Sequence, residues 1–207
     1  MTRILSLILK RLSDILISGI GIIISFPLWI MSAIIIIMDS GGPVFIHQER
    51  IGKKGKKFNI LKFRTMDKFA HKEDPGSHDF EERNNRVTRV GRVLRITAMD
   101  ELPQLFSIFI GGMSFVGPRA LHPTAGLLGS KYQSMEDIPD FDKRNSIVPG
   151  LTGLAQIFAA KDEPLENKMK YDLIYIERQN ILFDLKLFLL SFMVTFRCKW
   201  EVTGSKL

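Results

Sequence analysis

Hydrophobic and polar positions divide the chain unevenly. Residues 15–38 carry no charge and are dominated by isoleucine, a run long enough to cross a bilayer as a helix. Apolar residues continue past Ser32 and Ala33, which argues against a cleaved secretory signal. Gly41-Gly42-Pro43 then turns the chain, and the pattern changes to short alternations. Residues 44–46 predict a short strand, residues 51–57 a basic turn, and residues 58–63 a strand or the start of a helix. Residues 67–85 are polar, with Pro75-Gly76 marking a loop. Residues 83–94 and 101–110 predict helices, the second ended by Gly111-Gly112. Pro118, Pro123, Pro139 and Pro149 cut the next stretch into loops and short elements, and residues 166–178 are helical in pattern. Residues 182–196 are apolar but short for a span, with Asp184 and Lys186 near the start and Arg197 and Lys199 after them. They predict a helix lying in a membrane interface or buried in the core.

Two features complicate a straight membrane helix. Pro27 lies near the middle of the run, where it removes a backbone bond and clashes with the preceding turn. Each half is then about 17 Å long, one leaflet deep. Arg3, Lys10 and Arg11 precede the run, and Arg50, Lys53, Lys54, Lys56, Lys57, Lys62 and Arg64 follow it. Basic flanks favour the cytoplasm. A bent helix that enters and leaves by one face satisfies both flanks; a straight span, N-terminus out, is the alternative. Asp14 sits just inside the run and needs a partner, with Lys10 and Arg11 nearest, or an interfacial position.

Composition narrows the classes. A chain of 207 residues fits one domain, or one domain plus a membrane segment. The formal charge of +7 fits nucleic acid, an anionic membrane surface or phosphorylated substrates. No nucleic-acid-binding module surrounds the basic residues, and the apolar run calls for a bilayer. Cys198 is the sole cysteine, which rules out an internal disulfide and a thiolate zinc site.

The candidate chemistry centres on Asp100-Glu101, just before an apolar helical stretch. Taken alone, Asp100 reads first as a helix cap, or as completing a capping box begun by Thr97. A carboxylate at a helix N-terminus also sits where phosphate oxygens bind, and can be aimed at phosphorus as a nucleophile. Glu101 could share a divalent cation or handle a proton. Arg83, Arg86, Arg89, Arg92 and Arg95 recur every third residue and would form one stripe on a helix, for phosphate or for lipid headgroups. Arg95, nearest Asp100, is the better site candidate. Residues 112–117 have Walker-like glycine spacing, but Pro118 stands where lysine is required. Asp140-Phe141-Asp142 has the Asp-x-Asp pattern of metal-dependent glycosyltransferases, a second reading. A non-catalytic membrane scaffold is a third. His47, His71, His78 and His122 lack metal-ligand spacing.

An ordered set of motifs resembles the bacterial sugar transferases, the small monotopic phosphoglycosyl transferases. It runs from Lys10-Arg11-x-x-Asp14 and the run with Pro27, through Gly42-Pro43-Val44-Phe45, Gln48-x-Arg50-x-Gly52 and Lys62-Phe63-Arg64-Thr65-Met66. Asp100-Glu101-Leu102-Pro103-Gln104, residues 113–119 and residues 149–156 follow. Tyr171-Asp172 with Tyr175, then Asp184-Leu185-Lys186, close it. The resemblance implies a helix-rich α/β fold. Residues 1–40 would be a re-entrant membrane helix hairpin broken near Pro27. Residues 41–207 would be a cytoplasmic catalytic domain with short strands and interfacial helices. It also implies transfer of a sugar phosphate from a UDP-sugar to a polyprenyl (undecaprenyl) phosphate at the cytoplasmic face of the bacterial inner membrane. That is the first membrane step of glycan assembly.

In that scheme Asp100 attacks the β-phosphate and forms a phosphosugar-aspartyl intermediate, UMP leaves, and Mg²⁺ is held by Asp100 and Glu101. Arg95, Arg119 and Arg64 would neutralise phosphate charge. Lys62, Gln104, Gln156, Asp172 and Tyr175 are further site residues implied by the motifs, and a homodimer is compatible with the resemblance. Three departures stand out. Phe26 precedes Pro27, with Ser25 one position earlier; Val148 replaces an arginine; and residues 158–161 replace an Asn-Gly-Arg-like segment. The last two fall where substrate contacts are expected and bear on the sugar more than on the reaction.

Overall fold

The computed structural model describes residues 3–67, 86–124, 132–160 and 163–197. The apolar run forms α1 (Arg3–Ser40), a helix of 38 residues that continues through Pro27 as one element. By length and composition it is able to cross a membrane. Its buried residues are few: Asp14, Ser18, Ser25, Ser32 and Ile36. Spacings of four and seven put them on one face. Glycines nearby let α1 approach the body closely; a Cβ at Gly21 would lie 3.3 Å from Leu105, and one at Gly19 3.4 Å from Phe109. Most leucines and isoleucines on the other faces are exposed. The Ser25 hydroxyl stands 3.4 Å from the Ile22 carbonyl. The carbonyl that a proline at 27 frees belongs to Ile23, four residues back, so the displaced serine bonds to a different one.

β1 (Phe45–Ile51) and β2 (Lys57–Phe63) form an antiparallel hairpin, Phe45 opposite Phe63 and Ile51 opposite Lys57. The basic turn between them is a single 3₁₀ turn, Lys53–Gly55. β1 extends well beyond the predicted 44–46. Its inward positions include Gln48 and Arg50, which conceal a strand from a hydrophobicity pattern.

α2 (Arg89–Ile96) starts at Thr88, whose hydroxyl accepts the Gly91 N–H at 2.9 Å. Arg86 therefore precedes the helix, Arg83 lies outside the described residues, and the expected five-arginine helical stripe reduces to Arg89, Arg92 and Arg95. Thr97 closes α2, donating its hydroxyl to the Val93 carbonyl at 2.8 Å. Ala98 then adopts a left-handed conformation (φ 56°), and residues Met99–Glu101 form a 3₁₀ turn before α3 (Gln104–Ile110). Neither Thr97 nor Asp100 caps α3, whose N-cap is Pro103. The left-handed residue turns the chain between Thr97 and the helix, which corrects both capping readings.

β3 (Ser114–Val116) and β4 (Gly150–Thr152) pair in parallel. The Walker-like glycines thus flank a buried strand. A Cβ on Gly150 would stand 2.1 Å from the Gly117 nitrogen, so the approach of these two backbones requires glycine. Around them lie α4 (Phe141–Arg144), α5 (Leu154–Phe158), α6 (Leu165–Arg178) and α7 (Ile181–Phe196). The main core joins Ile60, Leu105, Ile108, Phe115, Ile157, Tyr175 and Leu187, contributed by nearly every layer. α7 combines the two alternatives read for it: Leu187 and Val194 are buried, while Leu182, Leu185, Leu189 and Phe196 are exposed.

The start of α1 is bolted to this body. Lys10 Nζ donates to the Val116 carbonyl at 2.9 Å and to Asp184 Oδ2 at 2.7 Å. The Tyr175 hydroxyl donates to Asp184 Oδ1 at 2.7 Å. Arg11 donates to the carbonyls of Ile108 and Phe109, the exposed end of α3. Asp14 accepts the Phe115 N–H at 3.1 Å and is also hydrogen-bonded by the Ser114 side chain.

Candidate active site

The hairpin, the 3₁₀ turn and the β3–β4 pair converge on a cavity of about 710 Å³ whose far wall is formed by α1 and α7. Asp100 lies on this cavity and is 9% exposed. Glu101 follows it, held by an ion pair with Lys62 of β2 and by Arg119 Nη2 at 3.8 Å. Burial alone would push the Glu101 carboxyl up. The Lys62 ammonium, with Arg119 and Arg50, outweighs that and holds it down at about 2. Lys62 and the two arginines thus hold Glu101 as the carboxylate, which favours the cation-sharing one of its two expected roles.

Arg95 reaches the cavity from α2 and donates from Nε to Thr65 Oγ1 at 2.9 Å. Arg50 arrives from the inner face of β1 and donates to Gln48 Oε1 at 2.8 Å. Its Nε is buried with no hydrogen-bond partner. Burial and the nearby Arg119 lower the Arg50 guanidinium to about 10. The cavity is lined by Arg50, Lys62, Arg95, Arg119, Arg144 and Lys168 against Asp100, Glu101 and Asp172. This excess of cations in a partly dehydrated space attracts a multiply charged anion such as a diphosphate.

A second polar group lies on the same cavity. Asp172 of α6 accepts from Arg144 Nε and Nη2 at 2.9 and 2.8 Å, and both side chains are fully buried. Arg144 Nη2 also donates to the Arg119 carbonyl at 2.5 Å, linking this pair to the Arg119 loop. Burial pushes the Asp172 carboxyl up to about 6, opposed by the charge of Arg144. Gln156 and Thr152 line the cavity from α5 and β4.

Of the residues singled out in the sequence, the fold gathers Asp100, Glu101, Lys62, Arg95, Arg119, Gln156, Asp172 and Ser25 on one cavity. Others stand elsewhere. Arg64 is buried and turns to the end of α1, where it donates to the Ser40 hydroxyl at 2.7 Å and to the Gly41 carbonyl. It caps α1 and does not line the cavity, a correction to its expected phosphate role. Tyr175 belongs to the Lys10–Asp184 anchor, and Gln104 is buried off the cavity. Pro27 is not on the cavity wall. Asp140 and Asp142 are exposed beside α4, away from the cavity, which leaves the Asp-x-Asp reading without a site. His71, His78 and Cys198 lie outside the described residues. Among the described residues no three histidine, cysteine or acidic side chains gather as a metal cluster. Gln48, Thr65, Arg144 and Thr152 were not singled out as site residues from the sequence. Arg50 stood only in a motif and a basic flank. The alternation Gln48-x-Arg50 on a strand was the one available signal.

A family model described as bacterial sugar transferase matches residues 5–198. A UDP-glucose:undecaprenyl-phosphate glucose-1-phosphate transferase of Klebsiella pneumoniae is 36% identical over 192 residues, covering 90% of this chain and 40% of the relative. A protein of the same name from Caulobacter vibrioides is 37% identical, covering 87% of this chain and 67% of the relative. A UDP-N-acetylgalactosamine-undecaprenyl-phosphate N-acetylgalactosaminephosphotransferase of Aeromonas hydrophila is 35% identical, covering 85% and 41%. The chain thus spans about two fifths of the length of two of these relatives.

Proposed function

Because the chain belongs to the bacterial sugar transferase family, we propose that it moves a sugar phosphate from a UDP-sugar to undecaprenyl phosphate and releases UMP. The observation that carries this reading is Asp100, a buried carboxylate at the edge of a cation-rich cavity whose other wall is the membrane helix. Arg95, Arg119, Arg50 and Lys62 would draw the diphosphate in and neutralise charge as it reorganises. Asp100 attacks the β-phosphorus, the bond to the α-phosphate oxygen breaks, and UMP departs with that electron pair. The acceptor's phosphate oxygen then attacks the same phosphorus and releases Asp100. Two displacements balance without net proton transfer, so an ionised Glu101 suffices.

Asp100 and Glu101 suit Mg²⁺, which is commonly held by one or two carboxylates with the remaining ligands from substrate phosphates and water. Bound there, it would supply neutralising charge to the diphosphate. Glu101, fixed by Lys62, would present its carboxylate in one orientation.

The membrane reading follows from how α1 is held. Lys10, Arg11 and Asp14 tie its start to the body, and Arg64 ties its end to the same body. About 40 Å of helix at 1.5 Å per residue separates Asp14 from Ser40, more than the roughly 30 Å hydrocarbon core. A straight span would carry one set of attachments to the far side. A helix that dips in and returns, bending at Pro27 where a backbone bond is missing, keeps both ends with the catalytic body. The exposed apolar residues of α1, of α3 (Phe106, Phe109, Ile110) and of α7 would then lie in one leaflet, with the cavity at headgroup depth on the cytoplasmic face.

The decisive test supplies UDP-glucose or UDP-N-acetylgalactosamine, Mg²⁺ and undecaprenyl phosphate, and measures UMP. Asp100→Asn is expected to abolish turnover. Mass spectrometry of wild-type protein without acceptor should find a phosphosugar on Asp100. Full turnover by Asp100→Asn would reject the assignment.

A further inference from the structure

Two buried oxygens on the cavity wall have no hydrogen-bond partner: Asp172 Oδ1 and Thr152 Oγ1. Asp172 is 2% exposed and Thr152 5%. Buried polar atoms of this kind are costly, since each has given up water and received nothing in return. On a cavity wall such an atom is open to a partner from the cavity, a ligand atom or a water that a ligand would displace. Asp172 is held in place through its other oxygen by Arg144, so Oδ1 is a fixed acceptor. Arg144 in turn bonds to the Arg119 backbone, and the Arg119 side chain faces Glu101. Asp172 is thus linked through Arg144 to the Arg119 loop, and Thr152 lines the same cavity.

The chemistry of the missing partner follows from the acceptor. A carboxylate oxygen repels a phosphate and attracts hydroxyl or N–H donors. The nucleoside offers the uracil N–H and two ribose hydroxyls, and a hexose offers several hydroxyls close together, so inhibition by UMP, which carries the first set and lacks the second, separates the two. The carbohydrate is also the group joined to the phosphorus that Asp100 attacks. We propose that Asp172 Oδ1 and Thr152 Oγ1 form the hydroxyl-recognising subsite for the sugar of the donor, and so set which sugars are accepted. This rests on the UDP-sugar reading above. The small side chains Ala159 and Ala160 line the same cavity, where they leave room for a ring.

Thr152→Val and Asp172→Asn, made in the full chain, test the assignment through UMP release. The donors are UDP-glucose, UDP-galactose, UDP-N-acetylglucosamine and UDP-N-acetylgalactosamine, with UMP as product inhibitor. Removing an unpartnered hydroxyl should not lower Tm, so Thr152→Val is free of a folding defect. It is expected to lower kcat/KM for the best wild-type donor by roughly 3–10-fold, the worth of one neutral hydrogen bond. Asp172→Asn is expected to lower it by roughly 10–100-fold, as for a bond to a charged acceptor. The order of preference among donors should change in both, and inhibition by UMP, which lacks the sugar, should not. Weakened UMP inhibition by the same factor would give the subsite to the nucleoside and overturn the proposal. Wild-type kcat/KM on every donor in Thr152→Val would overturn it too. A wild-type chain that releases UMP from none of the four donors fails the functional reading first, and this one with it.

Discussion

Glu101 shows how neighbours set the state of a single side chain. In the unfolded chain its carboxyl has its ordinary value of 4.5, and in the fold it is held at about 2. A depressed carboxylate stabilises the fold above its unfolded value and loses that contribution as pH falls towards the folded one. Wild-type Tm should therefore fall between about pH 5 and pH 2 with a component that Glu101→Gln lacks, and the two Tm curves should converge at the acid end. Parallel curves across that window would show that Lys62 does not hold the Glu101 charge. Asp100 and Glu101 were marked in the sequence by the motif they open; as adjacent carboxylates before an apolar helix they read as caps, and the fold places both on the cavity. Arg50 was less marked. In the sequence it is one of many basic residues after the apolar run, and only the pleat of β1 turns it inward with Gln48. Arg64 carried the same charge and the same proximity to a motif, yet its guanidinium is spent on the end of α1. Charge and spacing alone could not separate the two.

At the level of elements, the motif Lys10-Arg11-x-x-Asp14 is a fastening for a helix. Lys10 and Tyr175 meet on Asp184, whose side chain is 8% exposed, and both also bond to the Val116 carbonyl. Among the described residues, Lys10 is the cation paired with the buried Asp184 carboxylate, and Lys10→Met removes it. Breaking one side of such a pair costs about 3–5 kcal/mol, so Tm measured in detergent should drop sharply. Tyr175→Phe should cost about 1–3 kcal/mol, and pairing Lys10→Met with Asp184→Asn should recover much of the loss. An unchanged Tm in Lys10→Met would mean that the anchor carries no load. The helices α1 and α7 were readable from their apolar runs and α3 and α6 from their helical pattern, although α1 continues through Pro27 as one element. β1 was read too short for the opposite reason: its inner face carries the polar groups of the cavity. The start of α2 and the caps of α3 were misread because a left-handed alanine at position 98, invisible in composition, divides the chain there.

For the whole molecule the question is which side of a membrane each end of α1 occupies. Both ends are attached to one body, and that body carries the cation-rich cavity. A single-face arrangement makes a sharp prediction for labelling with a membrane-impermeant maleimide. In a Cys198→Ser background, one cysteine is placed at Thr2, before α1, and another at Lys53, in the hairpin turn beyond it. In intact cells neither should react, and after permeabilisation both should. Labelling at residue 2 alone from outside would make α1 a straight span and would detach Lys10 and Arg11 from the surfaces they bond. The same experiment bears on the proposed reaction, because a polyprenyl phosphate would keep its phosphate at the headgroup layer and its chain in lipid. A span would have to hold the body by one end of α1 only, and Ile17, Gly21 and Ser25 could not then all line the cavity that holds Asp100. Membrane topology and the shape of the active site are thus tested by one experiment. In the proposed arrangement, a helix held at both ends on one face would supply the wall against which the acceptor reaches Asp100.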